Sequence, residues 1–263
     1  MFRKFLLMLA ATVVASPFVV RAEAPAEDAV QRGNEIASLV EHADDGFKGE
    51  RSELELVLLN AQGDKVVRKM NATILEGENG EDRSLFEFVF PTDVRGTKLL
   101  TWSHPKGNDD QWLYLPAIKR VKRIAATNQS GSFMGSEFSY EDFGSRAVEK
   151  YRNRYLGDEV VNGRNTWIIE QVPVNRYSGY SRMKVWIDQE FHLPIRTEYY
   201  DRRGDLLKVA HFEQPQQYRN FWRAGQITME NVQTRKKSVM TWTSRQLFLD
   251  LDPDDFTVDA LAD

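Results

Sequence analysis

From residue 49 onward, apolar and polar positions alternate with a period of two, the repeat of a strand whose two faces meet different surroundings. In 52–60, Leu54, Leu56 and Leu58 share a face opposite Glu53 and Glu55. In 84–90, Phe86, Phe88 and Phe90 share one. Leu100 and Trp102 align in 97–103, and Trp112 and Tyr114 align in 111–115. Further strands are expected over 65–75, 151–156, 166–174, 182–187, 195–200, 206–212, 226–233 and 238–249. Turn signals separate these runs: Gly63-Asp64, Asn79-Gly80, Gly107-Asn108, Asn162-Gly163, Gly204-Asp205 and Ala224-Gly225. Pro91, Pro105, Pro116, Pro194 and Pro215 are expected at strand ends, where a missing N–H costs no ladder bond. The pattern predicts a mainly β protein, one antiparallel sheet curled toward a barrel or a sandwich. No linker or internal repeat divides it, so 23–263 reads as a single domain.

Two stretches break the alternation. Ala26–His42 carries Val30, Ile36, Ala37, Leu39 and Val40 at helical spacing, with Gly33 as a weak point. Residues 125–136 are polar and glycine-containing, yet hold Phe133 and Met134 together, and Phe138 follows. A polar loop with large apolar residues fits either a lid or plug, or an ordinary loop whose aromatics fill the core.

Residues 1–22 read as a secretory signal: Arg3 and Lys4, then a mostly apolar run, then Val20 and Ala22 as small residues before a cut near Ala22. Removing Arg3, Lys4 and Arg21 takes the formal charge from -4 to -7. No later run reaches the roughly 18 apolar residues of a membrane span. The expected location is the periplasm.

The chain has no cysteine and 4 histidines, which removes disulfides, thiolate metal sites, thiol nucleophiles and acylation of the chain on a cysteine. Its acidic balance argues against nucleic acid. No hydrolase, protease or metal motif is present, so neither a catalytic residue nor a metal or cofactor site is expected. A hydrolase site dispersed over distant strands would leave no such motif. Lys119, Arg120, Lys122 and Arg123 form a basic cluster, either a solvated strand face or a contact for an anionic surface. All 6 tryptophans fall on or beside expected strands, enough bulk for a filled core or for an apolar cavity on a concave face.

The run Asp110-Gln111-Trp112-Leu113-Tyr114-Leu115-Pro116-Ala117, the basic cluster with Ile124, the segment Gly131-Ser132-Phe133-Met134-Gly135-Ser136, and Tyr140-Glu141-Asp142-Phe143 together resemble the periplasmic outer membrane lipoprotein-sorting proteins, a LolA-like group. Arg95-Gly96-Thr97 after Pro91, and Val185-Trp186-Ile187-Asp188 after Tyr180-Ser181-Arg182, agree. The resemblance implies an open half-barrel with a few helices closing its concave side. It implies carriage of lipoprotein acyl chains or lipid-like cargo toward the outer membrane without chemical turnover, with transient membrane contact and an RND-type exporter as partner. On parity and resemblance, Phe86, Phe88, Phe90, Trp102, Trp112 and Tyr114 are expected to line the apolar cavity. Phe133, Met134 and Phe138 are expected to form the lid or plug, and Arg120 and Arg123 to meet a head group or partner. The alternative is an accessory subunit of an exporter that carries nothing.

Overall fold

The computed structural model describes residues 26–262. The signal-peptide reading of 1–22 lies outside the described residues. The first element is helix α1 (Ala26–His42), with Glu27 and Asp28 in its first turn, where carboxylates favour the positive end of the helix dipole. Thirteen strands follow: β1 (Gly49–Leu59), β2 (Lys65–Leu75), β3 (Arg83–Phe90), β4 (Lys98–Trp102), β5 (Asp110–Leu115), β6 (Arg120–Ile124), β7 (Tyr151–Val161), β8 (Arg164–Pro173), β9 (Tyr180–Asp188), β10 (Pro194–Asp201), β11 (Leu206–Tyr218), β12 (Phe221–Asn231) and β13 (Lys236–Leu247). α1 is the one α-helix among the described residues, and the remaining helical pieces are single 3-10 turns.

All strands belong to one antiparallel sheet in the order β6-β5-β4-β3-β2-β1-β13-β12-β11-β10-β9-β8-β7. Neighbours in sequence are neighbours in the sheet except at one place: β1 pairs with β13, joining the two halves of the chain. The free edges are therefore β6 and β7, consecutive strands that do not pair. A single apolar cluster draws Leu56 from β1, Phe88 from β3 and Leu113 from β5 together with Val185 from β9, Ala210 from β11 and Met240 from β13. Strands far apart in the sheet share one core, so the sheet is curled around that core and left open between β6 and β7.

α1 packs on the β7 edge and sends Ile36 and Ala37 into the same core. Gly33 is what lets it sit so close. A Cβ there would lie 2.7 Å from the Arg154 backbone nitrogen, so the apparent weak point of the helix is its contact point. Pro215 departs from expectation. It lies inside β11, opposite Ala224, and Gln214 before it takes a φ of 53°, an irregularity that accommodates the missing donor.

Candidate functional site

The chain must travel from the end of β6 at Ile124 to the start of β7 at Tyr151, from one free edge of the sheet to the other. Residues 125–150 make that crossing and fill the concave side on the way. At its centre is a small hairpin. The Phe133 N–H donates to the Phe138 carbonyl at 2.7 Å, and the Ser136 N–H donates to the Phe133 carbonyl at 2.9 Å. Met134 and Gly135 turn the corner with φ of 49° and 78°, both left-handed, which suits the glycine at the second position. The Ser132 hydroxyl donates to the Ser136 carbonyl at 2.6 Å. The turn directs an aromatic residue inward.

The load it carries is apolar. Phe133 is 0% exposed and Phe138 is 5% exposed. The Phe133 ring lies 5.6 Å from Phe88 and 4.5 Å from Phe143, and Phe143 meets Phe86 edge-on at 5.1 Å. These are favourable offset and edge geometries, worth about 0.5–1.5 kcal/mol per pair beyond burial. The segment fills the interior of the curled sheet, a plug in the sense of that placement alone, with Met134 half-buried at its tip.

What fastens the plug is polar. Asp142, with a side chain 6% exposed, pairs with Lys208 of β11, 4% exposed, at 2.8 Å. The Asp142 carboxylate also accepts from the Ser139 N–H at 2.7 Å and the Tyr180 hydroxyl at 2.9 Å. Lys208 donates to the Glu137 carbonyl at 2.9 Å, and Asn231 donates to the Glu137 carboxylate at 2.8 Å. Arg68 of β2 reaches the Met134 carbonyl and stacks over Phe88. Glu141 accepts from the Ser178 hydroxyl at 2.7 Å and the Gly179 N–H at 2.9 Å.

Charge states follow from these contacts. Burial drives the Asp142 carboxyl upward, but Lys208, the Ser139 N–H and the Tyr180 hydroxyl together hold it below the usual carboxylate range. Burial, helped by the charge of Asp142, pushes Glu141 up, against the Ser178 hydroxyl, the Gly179 N–H and the charge of Lys208. Burial, then the negative charges of Asp142 and Glu141, pushes the Tyr180 hydroxyl well up, so it stays a donor.

The structure gathers some of the expected lining and separates the rest. Phe86 and Phe88 face the plug. Trp102, Trp112 and Tyr114 do not: they lie on the opposite face, packed with Leu100 against Phe256 and Leu261 of the C-terminal segment. Within β4 and β5 the expected parity is present, with Leu100, Trp102, Trp112 and Tyr114 on one face. Register between strands decides the face, and Phe86 pairs with Leu99, which pairs with Leu113, leaving Leu100 and Trp112 on the outside. Phe90 is displaced by a register shift, in which Met70 pairs with Phe88 and Lys69 with Phe90, and it is exposed. Phe133, Met134 and Phe138 come together in the hairpin that fills the interior. Arg120 and Arg123 are exposed on edge strand β6. They lie opposite Leu115 and Trp112, an odd number of residues apart, so they face different sides, and Arg123 is held by Asp110. Lysine and arginine on a free edge also discourage strand addition.

The Asp142–Lys208 pair was not foreseen. Its signal was Lys208 within Leu206-Leu207-Lys208-Val209-Ala210, a charge at an inward position of an apolar run. Beside the plug lies a hollow of about 320 Å³ between the β4–β5 hairpin, the 3-10 turn Tyr140–Phe143 and the β8–β9 loop, with charged side chains set among tyrosines and other apolar surface in its wall. Among the described residues, no group of His, Asp or Glu is placed to hold a metal ion, and no helix is long and apolar enough to cross a membrane.

A crystal structure of a Vibrio parahaemolyticus domain described as an outer membrane lipoprotein-sorting protein is 42% identical to this chain. It covers 89% of this chain and 100% of its own, with a TM-score of 0.87. This chain belongs to the outer membrane lipoprotein-sorting, LolA-like family. A DUF1329 family protein from Desulfovibrio piger is 29% identical over 89% of this chain and 99% of its own, with a TM-score of 0.84. A LolA superfamily protein from Nitrosomonas europaea, 18% identical over 90% of this chain and 100% of its own, shares the fold with a TM-score of 0.66. A family model described as an uncharacterized protein matches residues 80–263. No curated protein matches the chain. The curled, unclosed sheet is thus the half-barrel of the LolA-like family.

Proposed function

We propose that this protein is a periplasmic carrier of lipid-bearing cargo, the acyl chains of a lipoprotein or another lipid, moving it toward the outer membrane in concert with an RND-type inner-membrane exporter. The observation that supports this is the plug. The concave face of a LolA-like half-barrel is occupied by the chain's own aromatic hairpin, which is fastened to the sheet by side chains rather than by a strand ladder. An acyl chain gains about 0.8 kcal/mol per buried CH₂, so withdrawal of Phe133 and Phe138 would expose a surface that cargo covers equally well. Carriage then becomes an exchange of one apolar occupant for another, with no empty cavity at any stage.

The test is uptake of a fluorescent fatty acyl probe, alongside mass spectrometry of gently purified protein. Saturable binding that strengthens when Lys208→Met loosens the plug is the expected result. Protein that carries no lipid and takes up no probe in either form overturns carriage.

The filled interior favours a second reading, an accessory subunit that docks on an exporter and carries nothing. It predicts no probe uptake and a salt-sensitive association through Lys119, Arg120, Lys122 and Arg123. Charge reversal at those residues that leaves association unchanged would remove it.

A further inference from the structure

The hollow beside the plug has a chemistry that the apolar interior lacks. Its wall holds Asp109, Glu141, Asp142 and Glu149 against Arg146, Lys150 and Arg176. A count of charges alone would make it slightly acidic. The hydrogen bonds say otherwise, because the carboxylates deepest in the wall are already engaged. Asp109 accepts from the His104 N–H at 2.8 Å and the Ser145 N–H at 2.8 Å, and it pairs with Lys150. Asp142 is taken by Lys208, and Glu141 by Ser178 and Gly179.

Arg146 is different. Its guanidinium donates to the Tyr199 hydroxyl at 3.0 Å and enters no ion pair among the described residues. The rest of its fork opens into the hollow, where the side chain is reachable by solvent. Arg176 stands over the Tyr177 ring at 4.6 Å on the same wall, also outside any ion pair among the described residues. A guanidinium bonded to the Tyr199 hydroxyl, with Asp109 and Asp142 taken up by lysines and Glu149 exposed at the rim, has unspent donors for a ligand in the hollow. Its planar fork matches an oxyanion edge-on, and the about 320 Å³ of space falls at the lower end of small-ligand sites.

We propose that this hollow binds an oxyanion, the phosphate or carboxylate of a ligand, with Arg146 as its principal contact and Arg176 at the rim. Tyr199 holds the guanidinium in place from behind. Tyr180, Met183 and Tyr199 line the hollow and also belong to the apolar core. An anion in the hollow therefore leaves any chain attached to it at the margin of the plug. That the anion is a lipid head group rests on the carrier reading; the anion site itself does not.

Titration calorimetry on the full mature chain separates the two, using inorganic phosphate, dihexanoyl phosphatidic acid and dihexanoylglycerol as probes. The expected result is that phosphatidic acid binds at least about ten-fold more tightly than diacylglycerol, a margin of about 1.4 kcal/mol. Arg146→Gln should erase that margin without changing diacylglycerol affinity, and Arg146→Lys, which keeps the charge but loses the fork, should retain part of it. Free phosphate binding as tightly as phosphatidic acid, and lost in Arg146→Gln, supports the site and assigns it to a soluble anion, against lipid carriage. Diacylglycerol and phosphatidic acid binding equally overturns the anion site while leaving carriage standing. Absence of any anion binding to the wild-type chain, a comparison that needs no variant to fold, also overturns it.

Discussion

Strands β3, β4 and β5 carry an apolar cluster on each face, and the two clusters are closed by different means. On the inner face Phe86, Leu99 and Leu113 are covered by the plug, which is held through Asp142, Glu137 and Glu141. On the outer face Leu100, Trp102 and Trp112 are covered by the C-terminal segment, whose Phe256 is 0% exposed and whose Leu261 is 2% exposed. There the main directional bond is from the Trp102 indole N–H to the Phe256 carbonyl at 2.8 Å. A buried aromatic offers no cheap alternative state in water. A polar fastening does, since water replaces each lost hydrogen bond and the net difference is about 1 kcal/mol per bond. A buried ion pair likewise stands near balance between attraction and desolvation. Both closures bury aromatics, Phe256 outside and Phe133 inside, but only the inner one adds a buried ion pair and several polar fastenings that can be removed one at a time.

The severest challenge to that contrast is Phe256→Ala. It should cost about 3–5 kcal/mol of global stability in urea denaturation, because a filled apolar site is emptied. A loss below about 1 kcal/mol would mean that the C-terminal segment is not the fixed closure. Next in size is Lys208→Met, which strands the buried Asp142 carboxylate at a cost of about 3 kcal/mol. That loss should be local: amide exchange should quicken in residues 131–143 while the strands of the sheet keep their protection. Equal loosening everywhere would make the plug an integral part of the fold.

Acidity distinguishes the regions more gently. Asp82, between β2 and β3, has its carboxyl pushed up to about 6 by burial. The folded state thus holds that proton more tightly than the unfolded chain, and stability should fall as pH rises from about 4 to about 6, by about 1–2 kcal/mol after allowance for solvent screening. Asp82→Asn should flatten the profile in denaturation at about pH 5 and about pH 7. Asp142 runs the other way. Its depressed carboxyl contributes stability above the ordinary range that is lost only as pH falls through the folded value, so the Asp142–Lys208 pair should persist throughout the Asp82 window, and any loosening of the plug there, read by amide exchange corrected for intrinsic rates, should vanish in Glu141→Gln, since burial pushes the Glu141 carboxyl up. Smallest is Trp102→Phe, which keeps an aromatic ring but trims the indole and deletes its bond to Phe256, costing about 1 kcal/mol by thermal or urea melt.

Much of the strand map was legible because alternation is local. The Lys65–Leu75 strand matches its expected bounds, and most others end within a few residues of theirs. β7, β11 and β12 run longer than expected, since pairing with long partners extends them past their apolar stretches. The plug was legible as an anomaly, a polar loop with Phe133 and Phe138 in it. The face assignment of Trp102, Trp112 and Tyr114 was not, because it depends on pairings such as Phe86 with Leu99 across a turn. Phe90 was lost to one register shift at the end of β3.

Sequence alone therefore determined most of the elements: every strand but β6, the helix, the turns and the out-of-place aromatic loop, all consequences of backbone geometry over a few residues. The tertiary structure decided how those elements face one another. It set which aromatics line the interior, brought Lys208 to Asp142 across 66 residues of chain, and left Arg146 outside any ion pair among the described residues, in a hollow where Asp109 and Asp142 are already paired. Register and charge pairing are relations between distant segments, and the free energy that selects them exists only once the sheet has curled.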